Sequence, residues 1–246
     1  MKTSIIITNY NYGRYVARAI RSCLDQTEPV EIIVVDDAST DDSVTVIKAF
    51  SPYIKHVQLL DNVGIAKCRN AGITEATGQY VMFLDADDCI HRDTARILGL
   101  YLDFNTFVDA VESDHFIVDE GLRVLDRRSP LTTPIACGVM YRTEVFKKIG
   151  GYNKVDREDI DFRTRFIKHE MSIAYIDIPL YRYRYHGKNA ILTKPVKKKQ
   201  SQISVDGLNH IDCPKGQWSM NSNFWQDDDG VWRVHNITYG EYSGRK

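Results

Sequence analysis

Carboxylates gather at three places in this 246-residue chain: Asp36-Asp37, Asp85-Ala86-Asp87-Asp88 and Glu158-Asp159. Crowded carboxylates repel one another, so such groups persist where a cation or hydrogen-bond donors hold them. Asp85 and Asp87 suit a hard divalent cation, Mg²⁺ or Mn²⁺, taken through one or two carboxylates and completed by substrate phosphates. A solvated acidic turn, or a helix cap ahead of Arg92, accounts for the same residues, because Asp is a common turn residue. Asp36-Asp37 follows Ile32-Ile33-Val34-Val35 and admits two chemistries. In a dinucleotide fold an acid here holds the ribose, but the first turn then needs GxGxxG. The chain has Asn9-Tyr10-Asn11-Tyr12-Gly13, with one glycine, and that reading fails. The other chemistry is a carboxylate accepting the imide N–H of uracil while the Tyr10 ring stacks on the base. Glu158-Asp159 reads either as a general base or as charge complementing a helix start.

The elements that must position these groups alternate regularly in the first half. Ser4 to Thr8 is an apolar β-branched run, and Tyr15 to Leu24 carries apolar residues at helical spacing. Glu31 to Val35, His56 to Leu60 and Gln79 to Leu84 read as further strands. Helices are expected over Asp42 to Phe50, with Ser39, Thr40 and Asp41 as cap candidates, and over Gly64 to Ala76. The order β-α-β-α-β-α-β predicts a mostly parallel sheet with helices on both faces. In such sheets ligands bind beyond the carboxyl ends of the strands, at the switch in strand order. Thr8 to Asn11, Asp36-Asp37 and Asp85 to Asp88 all fall at strand ends, so they converge on one edge.

Beyond a helix at Asp93 to Phe104 the pattern is less regular. Strands are expected at Ala110 to Val118 and Leu122 to Arg127, a hairpin around Glu120-Gly121, and at Pro134 to Tyr141. A helix from Thr143 to Ile149 ends at Gly150, since glycine commonly follows a helix C-terminus. Glu158 to His169 is amphipathic, and Ser172 to Tyr185 reads as a strand pair interrupted by Pro179.

A length prior of about 150 residues per domain gives about 1.6 domains. The expected division is a nucleotide-sugar-binding and catalytic domain over 1–187 and a small, β-rich or irregular appendage over 188–246, for acceptor binding or an oligomer contact. Charge balance is even, 32 Lys+Arg against 33 Asp+Glu, so no nucleic acid partner is indicated. The apolar runs are far shorter than the ~20 residues of a membrane helix. The start Met1-Lys2-Thr3 leaves no room for a signal peptide before the first strand. Five cysteines without CxxC spacing indicate reduced thiols and a cytoplasmic setting.

The ordered set of motifs resembles the family 2 glycosyltransferases of GT-A fold. The matching residues are Ser4 to Asn11, Val34 to Asp41, Asn62-Val63-Gly64, Ala66 to Gly72, Gly78 to Asp88, Gly150-Gly151-Tyr152 with Glu158-Asp159, and Tyr183 to His186. The resemblance spans residues 3 to 187. It implies inverting transfer of a sugar from a nucleotide-sugar, commonly a UDP-sugar, with Mn²⁺ or Mg²⁺ as cofactor. By position it places Thr8, Asn9, Tyr10 and Asp37 at the nucleotide, Asp85 at the ribose and Asp87 on the metal beside the diphosphate. Gly64 admits the backbone to the nucleotide, and Arg69 meets a phosphate. Asp159 is the implied general base, and His186 a second metal or diphosphate contact.

Other classes are weaker. A nucleotidyltransferase carries a glycine-rich, basic loop after its first strand, and Asn9 to Gly13 is not one. A phospho-receiver has its acidic pair after the first strand and is half as long. A sugar-binding protein without catalysis would not need Asp85, Asp87 and Asp159 together. The run Lys194 to Lys199 reads as a solvated linker, or as a contact for an anionic membrane surface. Trp218, Trp225 and Trp232 read as a small core in the appendage, with acceptor-sugar stacking as the alternative. The acceptor is a lipid-linked saccharide, a protein or a free glycan.

Overall fold

The computed structural model describes residues 2–186, 224–226 and 232–234. The chain divides into two units, Met1–His186 and Gly187–Lys246.

The first unit is built on β1 (Thr3–Asn9), β2 (Glu31–Asp36), β3 (Lys55–Gln58) and β4 (Tyr80–Asp85), all parallel, in the spatial order β3-β2-β1-β4. Every residue of β1 is buried, as expected of a central parallel strand covered on both faces. The crossovers are α1 (Gly13–Leu24), α2 (Ser43–Lys48) and α3 (Ile65–Glu75). Val16, Ala19, Ile20 and Cys23 form the buried stripe of α1 at three- and four-residue spacing. Because β4 lies on the far side of β1 from β2, right-handed crossovers put α3 on the face opposite α1 and α2. A Cβ on Gly72 would sit 2.3 Å from Ile6 Cγ2, so glycine is what lets α3 close on β1. The strand order reverses between β1 and β4, which is the predicted switch point.

Beyond β4 the sheet becomes mixed. β8 (Val139–Arg142) runs antiparallel to β4, β6 (Ala110–Val118) antiparallel to β8, and β9 (Ile173–Arg184) parallel to β6. β7 (Val124–Arg128) closes the hairpin with β6, and β5 (Cys89–Ile90) pairs with the end of β9. Two expectations are corrected here. Pro134 to Ile135 does not join the strand, which starts only at Val139. Ser172 to Tyr185 is not a pair but one long strand, with Pro179 at a register shift where Ser113 faces Ile176 and Asp114 faces Pro179. Proline lacks the ladder N–H, so an irregularity absorbs it without ending the strand.

α4 (Thr94–Phe104) leads into β6, and α5 (Thr143–Ile149) ends at Gly150 with φ of 79°. α6 (Glu158–Lys168) packs Phe162 on Tyr152, with ring centroids 4.5 Å apart, and on Tyr141 at 5.6 Å. This aromatic cluster, joined by Phe83 and Phe146, fixes α6 against the middle of the sheet. The four described cysteines, Cys23, Cys68, Cys89 and Cys137, are buried and unbridged. Among the described residues no helix is long and apolar enough to cross a membrane.

In the second unit, β10 (Phe224–Gln226) pairs antiparallel with β11 (Trp232–Val234), Trp225 opposite Arg233 and Gln226 opposite Trp232. Trp218, Cys213 and the run Lys194 to Lys199 lie outside the described residues.

Candidate active site

The loops after β1 and β2 are laced together by side chains. Asn9 Nδ2 donates to Asp36 Oδ1 at 2.7 Å and to Ser39 Oγ at 3.1 Å. Ser39 Oγ also donates to Asp36 Oδ1 at 2.6 Å, so Ser39 closes this turn and does not cap α2. Asn11, in the left-handed region at φ 57°, accepts the Thr40 N–H at 2.8 Å. Asp41 accepts Gly13 N–H and Ser43 N–H, each at 2.9 Å, which ties the starts of α1 and α2. The lacing leaves Tyr10 43% exposed, with its ring available to a flat ligand. Asn9 is buried, and its Oδ1 has no partner among the described residues.

Asp37 is buried, and its two oxygens accept the N–H groups of Val63 at 2.8 Å and Gly64 at 2.9 Å. It thereby sets the turn that opens α3. Gly64 has φ of 89°, a conformation side chains resist, and no atom lies within 4 Å of where a Cβ would be. The backbone there faces open space.

Thr8 and Asp85 are register partners across the switch point, and Thr8 Oγ1 donates to Asp85 Oδ1 at 3.3 Å. The three aspartates of the turn differ in surroundings. Asp85 stays partly exposed at the edge. Asp88 is buried and accepts the Tyr181 hydroxyl at 2.6 Å and the Arg184 N–H at 2.7 Å. Burial, with Asp87 and Asp85 adding, holds its carboxyl well above the usual range. Asp87 is buried and meets His186 Nε2 at 2.9 Å. Burial and the charge of Asp85 raise its pKa, while His186 opposes the rise. The same carboxylates, after burial itself, push Tyr12 up to about 12. His186 stacks on Tyr15 with centroids 5.1 Å apart and planes at 16°.

Arg69, on α3, is buried. Its Nη1 donates to Glu158 at 2.9 Å, and Nη2 lies 3.8 Å from Asp85. The guanidinium sits over Tyr152, 5.0 Å from the ring centroid. Burial opposes its charge, but the surrounding groups, Asp85 and Glu158 among them, more than compensate and raise its pKa. Arg69 Nε has no partner among the described residues. Asp159 follows Glu158 in the first turn of α6, 3.7 Å from Arg157 Nε, with its side chain 31% exposed. Arg69 thus links the acidic edge to the helix that carries Asp159.

Asp87 and His186 supply one carboxylate and one imidazole, oriented at each other in a pocket where acid pairs resist ionisation. That donor set fits Mn²⁺ or Mg²⁺ with remaining positions left to phosphates and water. Among the described residues no protein-only cluster of three or more His, Cys, Asp or Glu could hold a metal. Tyr15 and Tyr181 also shape this edge, through His186 and Asp88, and carry no sequence signal of their own. Tyr181 is separated from Asp88 by 93 residues, beyond any local pattern.

A parallel β3-β2-β1-β4 quartet continued by mixed strands, with carboxylates where β4 leaves the sheet, is the GT-A architecture of nucleotide-sugar enzymes. The description "Glycosyl transferase family 2" matches residues 4–150, and the chain belongs to that family. A Nostoc sp. protein named "Uncharacterized glycosyltransferase alr2836" is 35% identical over 240 residues, covering 85% of this chain and 74% of that protein. Among solved structures, Staphylococcus aureus TarS 1-349 in complex with UDP-GlcNAc superposes with a TM-score of 0.67 at 22% identity, covering 80% of this chain and 62% of that one. The mannosyltransferase PcManGT from Pyrobaculum calidifontis, in complex with GDP-Man and Mn²⁺, gives 0.63 at 18% identity, covering 76% and 58%. The chain therefore spans less than two thirds of either solved chain. The family assignment rests on the sequence match, and the solved structures show the same fold.

Proposed function

We propose that the chain transfers a sugar from a UDP-sugar to an acceptor hydroxyl with inversion, assisted by Mn²⁺ or Mg²⁺. The observation that carries this reading is the pairing of Asp87 with His186 across 99 residues, beside the Thr8–Asp85 contact at the switch point. In this reading Tyr10 stacks on the uracil, and Asp37 accepts its imide N–H with lone pairs not used by Val63 and Gly64. Thr8 and Asn9 line the same pocket, and Asp85 accepts from the ribose. The exposed backbone at Gly64 lies along the nucleotide, and Arg69, whose guanidinium lies beside Asp85, is assigned to a phosphate. Asp87 and His186 would hold the cation, which when bound neutralises charge on the leaving diphosphate.

The acceptor hydroxyl attacks the anomeric carbon from the face opposite the diphosphate. The new C–O bond forms as the anomeric C–O(phosphate) bond breaks, and the proton passes to Asp159. One displacement needs one base and no covalent nucleophile, so inversion requires no catalytic carboxylate besides Asp159. The UDP-GlcNAc and GDP-Man complexes of TarS and PcManGT support a nucleotide-sugar donor, and the Mn²⁺ of PcManGT supports the cation. We assign the acceptor-binding role to residues 188–246, and the acceptor class to a glycan, a lipid-linked saccharide or a protein.

Calorimetric titration with UDP, GDP, CDP and dTDP, each with and without Mn²⁺, tests this. The expected result is tight, Mn²⁺-dependent binding of UDP that Asp87→Asn reduces to the metal-free level. Equal UDP affinity with and without Mn²⁺ would sink the cation assignment, and preference for another nucleotide would replace uracil.

A further inference from the structure

We propose that the ion pair between Glu112 and Arg163 is a positioning element for transfer: it fixes the roll of α6 about its own axis, and so the direction in which Asp159 meets the acceptor. The inference rests on the reading of Asp159 as the base. Glu112 stands in the mixed half of the sheet, on β6, opposite Val139 of β8 and Tyr175 of β9. Its side chain is only 2% exposed, and glutamate is rarely buried to that degree unless it is paired. Arg163 Nη1 and Nη2 donate to its two oxygens at 3.0 and 3.1 Å. Such a fork sets direction as well as distance.

The fork lies on the flank of α6 that bears Asp159. Successive helical residues are about 100° apart, so Asp159 and Arg163, four apart, lie within about 40° of each other around the axis. Phe162 and Phe166 form the buried stripe of the helix. By the same spacing Asp159 and Arg163 border that stripe on one side, and Glu158, tied to Arg69, borders it on the other. Two directional pairs therefore hold opposite margins of an aromatic contact whose burial is non-directional. Arg69 belongs to α3, and Arg165 ties α6 to the carbonyls of Ile149 and Gly151, which precede it in the chain. Among the described residues it is the fork that bonds α6 to the sheet. For stability such a pair is dispensable, since apolar residues of similar volume in place of a buried ion pair commonly fold as well or better. Direction is what an apolar pair does not supply. A base must lie within hydrogen-bond reach of its hydroxyl, and a misplacement of about 1 Å can cost ~100-fold in rate.

The test follows UDP release by the full chain with Mn²⁺ from UDP-glucose, UDP-galactose, UDP-GlcNAc and UDP-GalNAc, with water as the acceptor. The water oxygen bonds the anomeric carbon as the bond from that carbon to the phosphate oxygen breaks, and the water proton passes to Asp159. In Glu112→Leu combined with Arg163→Met we expect melting close to the wild type, UDP affinity within twofold, donor KM within threefold and kcat at least tenfold lower. Glu112→Gln keeps the shape and one acceptor oxygen, so it should melt like the wild type and fall between the two in kcat, at least threefold down. It decides alone if the double variant does not fold. A pair with a structural role only would leave kcat unchanged in variants that melt normally. Values of kcat within twofold of the wild type, beside an inactive Asp159→Asn, overturn the positioning role. A raised donor KM with unchanged kcat overturns it as well, because the pair would then serve donor binding. Normal turnover by Asp159→Asn, or no UDP release by the wild type from any of the four donors, strikes the reading beneath it and is seen without the Glu112 and Arg163 variants.

Discussion

At the scale of single residues, Asp85, Asp87 and Asp88 have one side-chain chemistry and three roles. Asp88 is consumed by Tyr181 and Arg184 and acts as a latch between the turn and the end of β9. Asp87 faces an imidazole, and Asp85 remains at the open edge beside Thr8. Environment, not identity, divides them. Asp159 tests the proposed chemistry most sharply, because a base acts on the acceptor and not on the donor. Asp159→Asn is expected to keep Mn²⁺-dependent UDP affinity within twofold and to lower transfer about 10²- to 10⁴-fold, the usual contribution of a positioned base. Calorimetry and a transfer assay on the same preparation separate the two quantities, and near-normal turnover would remove Asp159 from the role.

At the scale of elements, α6 is coupled to the switch point through one buried guanidinium. Removing Arg69 strands Glu158 and takes a positive charge from Asp85. Arg69→Met is expected to destabilise the fold by about 3 kcal/mol, as expected when one member of a buried pair is lost. Urea unfolding measures it, and Arg69→Met with Glu158→Leu should recover part of the loss. A different liability lies in β6. His115 is fully buried, and neither ring nitrogen has a partner among the described residues. Burial lowers its pKa below 6.5, with Arg128 assisting and Asp114 and Asp126 opposing. The unfolded chain therefore binds the proton more readily, so this stability is complete above about 6.5 and is lost as pH falls below that value. Asp87 and Asp88 have raised pKa values and act with the opposite sign, so the total curve mixes them. His115→Phe isolates the histidine: the drop in melting temperature between pH 7.5 and 5.5 should be smaller in the variant. An identical drop in both proteins would refute it.

At the scale of the whole molecule, the described core is closed within Met1–His186, where the sheet and all six helices α1 to α6 reside. The site residues from Thr8 to His186 fall in the same unit. Truncation after residue 187 is therefore expected to leave one cooperative unfolding transition and UDP affinity within threefold. Transfer to the acceptor should fall sharply if residues 188–246 carry acceptor recognition. Differential scanning calorimetry and the nucleotide titration check the first two expectations, and loss of cooperativity would show that the second unit is needed for folding.

The parallel half of the sheet, and the edge on which its polar clusters meet, were legible from residue pattern. Strands such as Ile5 to Ile7 and Val81 to Leu84 are uniformly apolar, α1 has a 3.6-residue apolar period, and strand ends must share one edge once the strands are parallel. Motif order then sufficed for the family. The mixed half was less legible: β5 is two residues long, β9 runs through Pro179, and neither has a periodic signal. Packing alone brought Asp87 into contact with His186, put Asp37 on the turn at Gly64, and set Arg69 between Asp85 and Glu158. Those contacts span 16 to 99 residues of chain. Their geometry arises from how β9 and α6 pack, a cooperative property of the core that no local spacing encodes.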